Sequence, residues 1–194
     1  IKPIVKRLAR LKVIVIGDGG VGKTSLIKVF MGARFKGEYK QTIGCDIYST
    51  RKVIWHSILG KIKANIIIWD VAGQPSFSVA RCMFYKGSKG ALLCFDLTRL
   101  ESLRNTLKWI EEVLQCIGIV PVVLVGCKSD LIGKGSGISE HEIEETRKKI
   151  EEKLGLPVPY IETSAKLNIN IDNVFKKLIN LIIDSYLRKM RDKI

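Results

Sequence analysis

The residues best suited to chemistry lie near the start of the chain, in Gly17-Asp18-Gly19-Gly20-Val21-Gly22-Lys23-Thr24. The run fits G-x-x-x-x-G-K-[ST]. It follows the β-branched stretch Leu11–Ile16 and opens a helix-like stretch from Gly22 to Met31, the context the pattern requires. Glycines let successive backbone N–H groups turn inward around a phosphate, and the helix N-terminus adds its dipole. Lys23 places a cation near the outer phosphates, Thr24 offers a hydroxyl to Mg²⁺, and Ser25 completes this candidate binding set. The bland alternative is a glycine-rich turn that binds nothing. Average residue frequencies give the bare pattern about one chance in a hundred in a chain this long.

Four further motifs follow. They are Gln41-Thr42-Ile43-Gly44, Trp69-Asp70-Val71-Ala72-Gly73-Gln74, Gly126-Cys127-Lys128-Ser129-Asp130 and Ser164-Ala165-Lys166. Together with the glycine-rich loop they resemble a Ras-superfamily small GTPase, near the Rab and Ras branches, over almost the whole domain. The resemblance implies that Thr42 closes on Mg²⁺ and the γ-phosphate as a switch I threonine. Asp70 would hold Mg²⁺ through a water, Gly73 would offer its N–H to the γ-phosphate, and Gln74 would orient the attacking water. Lys23, Thr42, Gly73 and Gln74 are then the catalytic set. Phe35 matches the aromatic that stacks over the base. Lys128 would pack on the base, Asp130 would accept from guanine, and the Ala165 N–H, between Ser164 and Lys166, would meet the guanine O6. A carboxylate favours guanine because adenine presents no matching pair of donors. Two positions depart from the family pattern. Cys127 replaces an asparagine whose amide links base to phosphate loop, so weaker nucleotide retention is expected, and Pro75 replaces an acidic residue.

The expected function is a guanine-nucleotide switch that binds GTP or GDP with Mg²⁺ and slowly hydrolyses GTP. An exchange factor, an activating protein and effectors would read residues 36–46 and 72–83. A nucleotide-binding scaffold with little hydrolysis is the first alternative. The second, a basic nucleic-acid binder, draws on the net charge of +14. It is disfavoured because basic residues gather at the termini without interleaved aromatics for stacking. A monomer is expected.

Elements able to position these residues are legible as well. The 194 residues, 46% apolar, suit one domain. The expected organisation is a basic extension at 1–10, a small GTPase G domain at 11–190 and a basic tail at 191–194. Short β-branched runs alternate with helical patterns, which predicts an α/β fold of the P-loop NTPase type. About six mostly parallel strands, one antiparallel edge strand and helices on both faces are expected. Segments 45–56 and 61–69 form a hairpin, and Ile66, Ile67 and Ile68 predict a strand buried on both faces. Further strands fall at 90–96, 121–126 and 158–162. Ser139 and Glu142 make a capping box for a helix over 139–154, and an apolar stripe predicts a last helix over 170–190.

Five cysteines without a C-x-x-C pair read as a reduced intracellular chain, so zinc and disulfides are not expected. No apolar run approaches the roughly 18 residues needed to span a bilayer. A cytoplasmic location is expected, with weak peripheral contact to anionic membrane through the basic termini and without prenylation, because the final residues hold no cysteine. His56 and His141 read as surface residues, and Trp55 and Trp109 as packing. The Lys- and Ile-rich, Gln-poor composition leans toward a heat-adapted source.

Overall fold

A computed structural model describes residues 6–7, 10–37, 41–74, 78–133 and 137–191. Pro75 and the apolar terminal residues Ile4 and Leu8 lie outside them. The elements run β1 (Lys6–Arg7), β2 (Leu11–Ile16), α1 (Lys23–Phe30), β3 (Cys45–His56), β4 (Gly60–Val71) and α2 (Ser78–Tyr85). The second half runs β5 (Gly90–Asp96), α3 (Leu100–Arg104), α4 (Thr106–Ile117), β6 (Val122–Cys127), α5 (Glu140–Leu154), β7 (Tyr160–Glu162) and α6 (Ile171–Arg191).

One sheet carries the fold. β2, β4, β5, β6 and β7 are parallel in the order β4-β2-β5-β6-β7, and β3 pairs antiparallel with β4 at the edge. These are the six strands expected. The two-residue β1 adds a short parallel pairing along β4, Lys6 beside Ile62 and Arg7 beside Lys63. The central strands β5 and β6 are buried at every position, as runs covered by helices on both faces must be. In β4 the expectation of burial on both faces is corrected. Ile62, Ala64, Ile66 and Ile68 point into the core while Ile67 and Trp69 are half-buried, because helices cover only one face of the hairpin along most of its length.

Two cores flank the sheet. Beneath one face α1 and α6 pack Leu26, Ile27, Phe30, Val174, Phe175, Leu178 and Ile182, with Phe30 and Phe175 stacked at 3.8 Å between ring centroids. On the other face α2 to α5 contribute Tyr85, Leu103, Trp109, Ile110, Val113, Ile143 and Ile150. Each such aliphatic or aromatic side chain contributes about 1.5–3 kcal/mol by leaving water. The start of α5 follows its sequence. Ser139 accepts from the Glu142 N–H while the Glu142 carboxylate accepts from the Ser139 N–H, and Glu144/Lys148 and Glu145/Lys149 form exposed i,i+4 pairs.

Several side-chain expectations are corrected. His56 is buried rather than on the surface, with Nδ1 accepting from the N–H groups of Ile58 and Leu59 and Nε2 donating to Asp184. Trp55 is exposed, so it does not pack in the core, whereas Trp109 is buried. His141 is exposed, as expected. Cysteine chemistry also differs from the expectation of five reduced thiols. Cys82 of α2 and Cys116 of α4 form a disulfide, with Cα atoms 5.1 Å apart. The pairing joins adjacent helices rather than neighbouring sequence, which is why no short motif announces it.

Crosslinking residues separated by 34 positions constrains the unfolded chain, a stabilisation of up to about 4 kcal/mol by loop-closure entropy. Replacing both cysteines by serine should lower the denaturation midpoint accordingly and speed hydrogen exchange in α2. An unchanged midpoint in oxidising buffer would show that this crosslink does not support the fold.

Candidate active site

Four of the predicted motifs sit where strands β2, β4, β6 and β7 end and loops begin, and Gln41-Thr42-Ile43-Gly44 lies just before β3. They meet at one cavity of ≈ 810 Å³. Such a site at the carboxyl ends of parallel strands is where open α/β sheets receive ligands.

The glycine-rich loop forms its floor. Gly17, at φ 136°, lies so close to β5 that a Cβ would overlap the Cys94 carbonyl oxygen, so the loop can leave the sheet there only through glycine. Gly19, Gly20, Gly22, Lys23, Thr24 and Ser25 line the cavity, while Gly17, Asp18 and Val21 support it from behind. Lys23 is nearly enclosed and its ammonium donates to the carbonyls of Gly17 and Asp18 at 2.7 and 2.8 Å. Burial pushes its pKa down, opposed mainly by the Asp70 carboxylate. Asp18 points away from the cavity, accepting from Asn105 and from the Trp109 indole N–H, each at 2.8 Å. Trp109 therefore both packs and fixes the loop.

Three oxygen donors converge beside Lys23. The Thr24 hydroxyl donates to Asp70 Oδ2 at 2.5 Å and lies 3.0 Å from the Thr42 hydroxyl. Asp70 is buried at the end of β4, and its other oxygen, Oδ1, has no hydrogen-bond partner among the described residues. Burial pushes its pKa up against the opposing Thr24 hydrogen bond and Lys23 charge. A buried carboxylate oxygen left unpartnered, next to two hydroxyls, is a donor set suited to a hard cation.

Gly73 and Gln74 follow on the cavity wall. A Cβ on Gly73 would overlap the backbone of Gly17, Asp18 and Gly19, so the end of β4 rests directly on the phosphate loop. The opposite end of the cavity holds Phe35, Cys127, Lys128, Asp130, Ala165 and Lys166. Lys128 adopts φ 66°, a left-handed conformation strained for a non-glycine residue, and its ammonium reaches Asp96 Oδ2 at 2.7 Å. Burial works against the Asp96 carboxylate, yet Lys128 and Thr98 hold its pKa below the usual range. The buried Ser164 is outside the cavity and donates to Asp130 Oδ1 at 2.6 Å, orienting that carboxylate. Cys127 packs against Gly22, where a Cβ would sit 3.4 Å from the Cys127 Cβ, while its thiol faces Cys94, Thr163 and the Val125 carbonyl, the last at 4.0 Å. The position touches the phosphate loop without bonding to it.

One set of residues was missed by the sequence reading. Arg81 of α2 donates to the Gln74 carbonyl at 2.7 Å, grips the Glu112 carboxylate of α4 at 2.7 and 2.6 Å, and stacks on the Trp109 ring at 4.5 Å. Tyr85 donates to the same carboxylate at 2.7 Å. These bonds and the neighbouring Cys82–Cys116 crosslink hold α2 against α4. The only sequence hint is the i,i+4 spacing of Arg81 and Tyr85.

A glycine-rich loop between strand and helix, an oxygen-rich cluster beside Lys23 and a carboxylate farther along the same cavity are the features of a P-loop nucleotide-binding domain. The family model of the Ras family matches residues 12–184, and the chain belongs to that family. It is similar to Ras-related protein RabL of Dictyostelium discoideum, at 33% identity over 91% of this chain and 85% of the relative. It is also similar to Ras-related protein Rab7 of Pisum sativum, at 34% identity over 89% and 82%. The Ypt/Rab-type GTPase YPT7 of Saccharomyces cerevisiae matches at 34% over 87% and 79%. The chain is accordingly a Rab-like, GTP-binding switch GTPase that hydrolyses GTP to GDP.

Arg81 fixes the Gln74 backbone through its carbonyl. Arg81→Ala should slow single-turnover GTP hydrolysis by about tenfold to a hundredfold while GDP affinity changes less than about threefold. Equal losses in both would assign Arg81 to folding alone.

Proposed function

We propose that residues 11–190 act as the G domain and that the cavity takes guanine nucleotide with its phosphates over residues 17–25. The basic segments 1–10 and 191–194 then flank it. The base lies toward Phe35, Lys128, Asp130 and Ala165, with Asp130 accepting from guanine. The observation that carries this reading is the convergence of Thr24, Thr42 and Asp70 beside the Lys23 ammonium. Their oxygens fit Mg²⁺, with Thr24 and Thr42 as direct ligands and Asp70 acting through water. When bound, Mg²⁺ neutralises developing phosphate charge and helps orient the β- and γ-phosphates.

Each residue then has a task in hydrolysis. Lys23 stabilises charge on the outer phosphates from a site that excludes water, where such a charge acts strongly. Gln74 orients the attacking water, and the Gly73 N–H binds the γ-phosphate. Unaided turnover is slow, and an activating partner completes the arrangement around Gln74. Loss of the γ-phosphate frees Thr42 and Gly73, so residues 36–46 and 72–83 change state together and are read by exchange factor, activating protein and effectors. The protein works as a monomer in the cytoplasm, peripheral at membranes through its basic termini. An intracellular disulfide suits the heat-adapted composition, since such proteins retain them.

Thr42→Ala tests the switch assignment. It should weaken GTP binding and hydrolysis by about tenfold or more and leave GDP affinity within about threefold. Equal affinity for GTP before and after the change would remove Thr42 from the γ-phosphate site. Cys127→Asn tests the base end. An amide reaching the phosphate loop adds a hydrogen bond of about 1 kcal/mol, so GDP release should slow about fivefold. Release at the parent rate would show that the thiol does not weaken retention.

A further inference from the structure

The half of the β3–β4 hairpin farthest from the cavity bears a surface that nucleotide chemistry does not use. Residues 51–63 contain four Lys or Arg and no acid. Strand alternation sorts them. Ile54, His56 and Ile62 face the core, while Arg51, Val53, Trp55, Lys61 and Lys63 share the outer face. Across that face Trp55 stands opposite Lys61, and Val53 opposite Lys63. Val53, Trp55 and the turn residue Ile58 are 58%, 66% and 68% exposed, so nothing among the described residues covers them.

The surface is held in shape. The Trp55 carbonyl accepts from Asn180 of α6 at 3.3 Å. His56 organises the turn by accepting the N–H groups of Ile58 and Leu59, and it is tied to α6 through Asp184 at 3.1 Å. A buried histidine thus turns the bend so that Ile58 projects outward. Beside the hairpin, β1 pairs with β4, Lys6 in register with Ile62 and Arg7 with Lys63. α6, which meets the hairpin at Asn180 and Asp184, carries Arg188, Lys189 and Arg191 in its last turn.

We propose that this outer face docks on an anionic lipid bilayer, with Trp55 at the headgroup level, Ile58 and Val53 below it, and Lys61, Lys63 and Arg51 on lipid phosphates. Charge complementarity selects an anionic partner, and the alternation of exposed aliphatics with cations selects a membrane. A nucleic acid would satisfy the lysines but leave Val53 and Ile58 in water, whereas a bilayer surface accepts both kinds of side chain within a few ångströms of depth. The aliphatic and aromatic part of the surface lies on the folded hairpin and not on the basic terminal segments proposed above.

The test uses the full chain loaded with GDP and vesicles of phosphatidylcholine containing about 30% phosphatidylserine, the anionic lipid that attracts basic surfaces. Sedimentation with these vesicles should exceed that with pure phosphatidylcholine by at least tenfold and should weaken as salt rises. Trp55→Ala with Ile58→Ser, or Lys61→Glu with Lys63→Glu, should each reduce it about tenfold, while GDP affinity confirms that the variants fold. Trp55 emission should shift to the blue on vesicle addition, and the Trp55→Phe variant should lose that shift. Binding unchanged in both hairpin double variants but lost on Arg188→Glu with Lys189→Glu would overturn the proposal in favour of the termini. Equal sedimentation with neutral vesicles, or binding to RNA without binding to vesicles, would also overturn it.

Discussion

Everything at the nucleotide site depends on a close approach of backbone to backbone. Gly17 leaves β2 against the Cys94 carbonyl of β5, and Gly73 at the end of β4 rests on the backbone of residues 17–19. A side chain at either position would separate strand ends whose motifs line the same cavity. The packed runs of β2 and β4 hold these ends in register, Val15 beside Asp70. That register carries Asp70 to the Thr24 hydroxyl and places Lys23 where the loop carbonyls and a carboxylate compensate its burial. Packing of the sheet thereby sets the electrostatics of the site.

A second constraint ties the site to the helices. Arg81 and Cys82 are consecutive, and each joins α2 to α4, one through Glu112 and the other through Cys116. The Gln74 carbonyl hangs from Arg81, while Trp109, beneath the same guanidinium, holds Asp18 of the phosphate loop. The glutamine segment and the loop are therefore supported by one cluster rather than by separate contacts. Its members act together, and a change at one is expected to be felt at the others more than additively.

Local pattern made much of this legible from sequence. The phosphate loop is contiguous, β5 and β6 are uniform apolar runs, and the α5 cap depends on residues three apart. The strand at 90–96 has the bounds expected, and the last helix is displaced by one residue at each end. What escaped notice depends on elements distant in sequence. Arg81 and Glu112, or Cys82 and Cys116, meet only once two helices lie side by side, and neither spacing carries a local signature. For Trp55 and His56 the strand at 45–56 was expected, but the side of the sheet taken by each followed from pairing with β4 and from Asp184 of α6. The odd cysteine count suggested reduced thiols because counting ignores geometry. At the far end of the cavity the sequence named Asp130, Cys127, Ser164 and Gly22, but not the Ser164–Asp130 hydrogen bond, which forms only once β6 and β7 lie side by side.

The most direct test of the guanine-switch account is the identity of the nucleotide released by acid from freshly purified protein, measured by chromatography and quantified per chain. The account predicts GDP, close to one per chain, because guanine is selected at Asp130 and GTP is hydrolysed before isolation. An adenine nucleotide would contradict the base assignment, and GTP persisting unhydrolysed in the presence of Mg²⁺ would contradict the catalytic one.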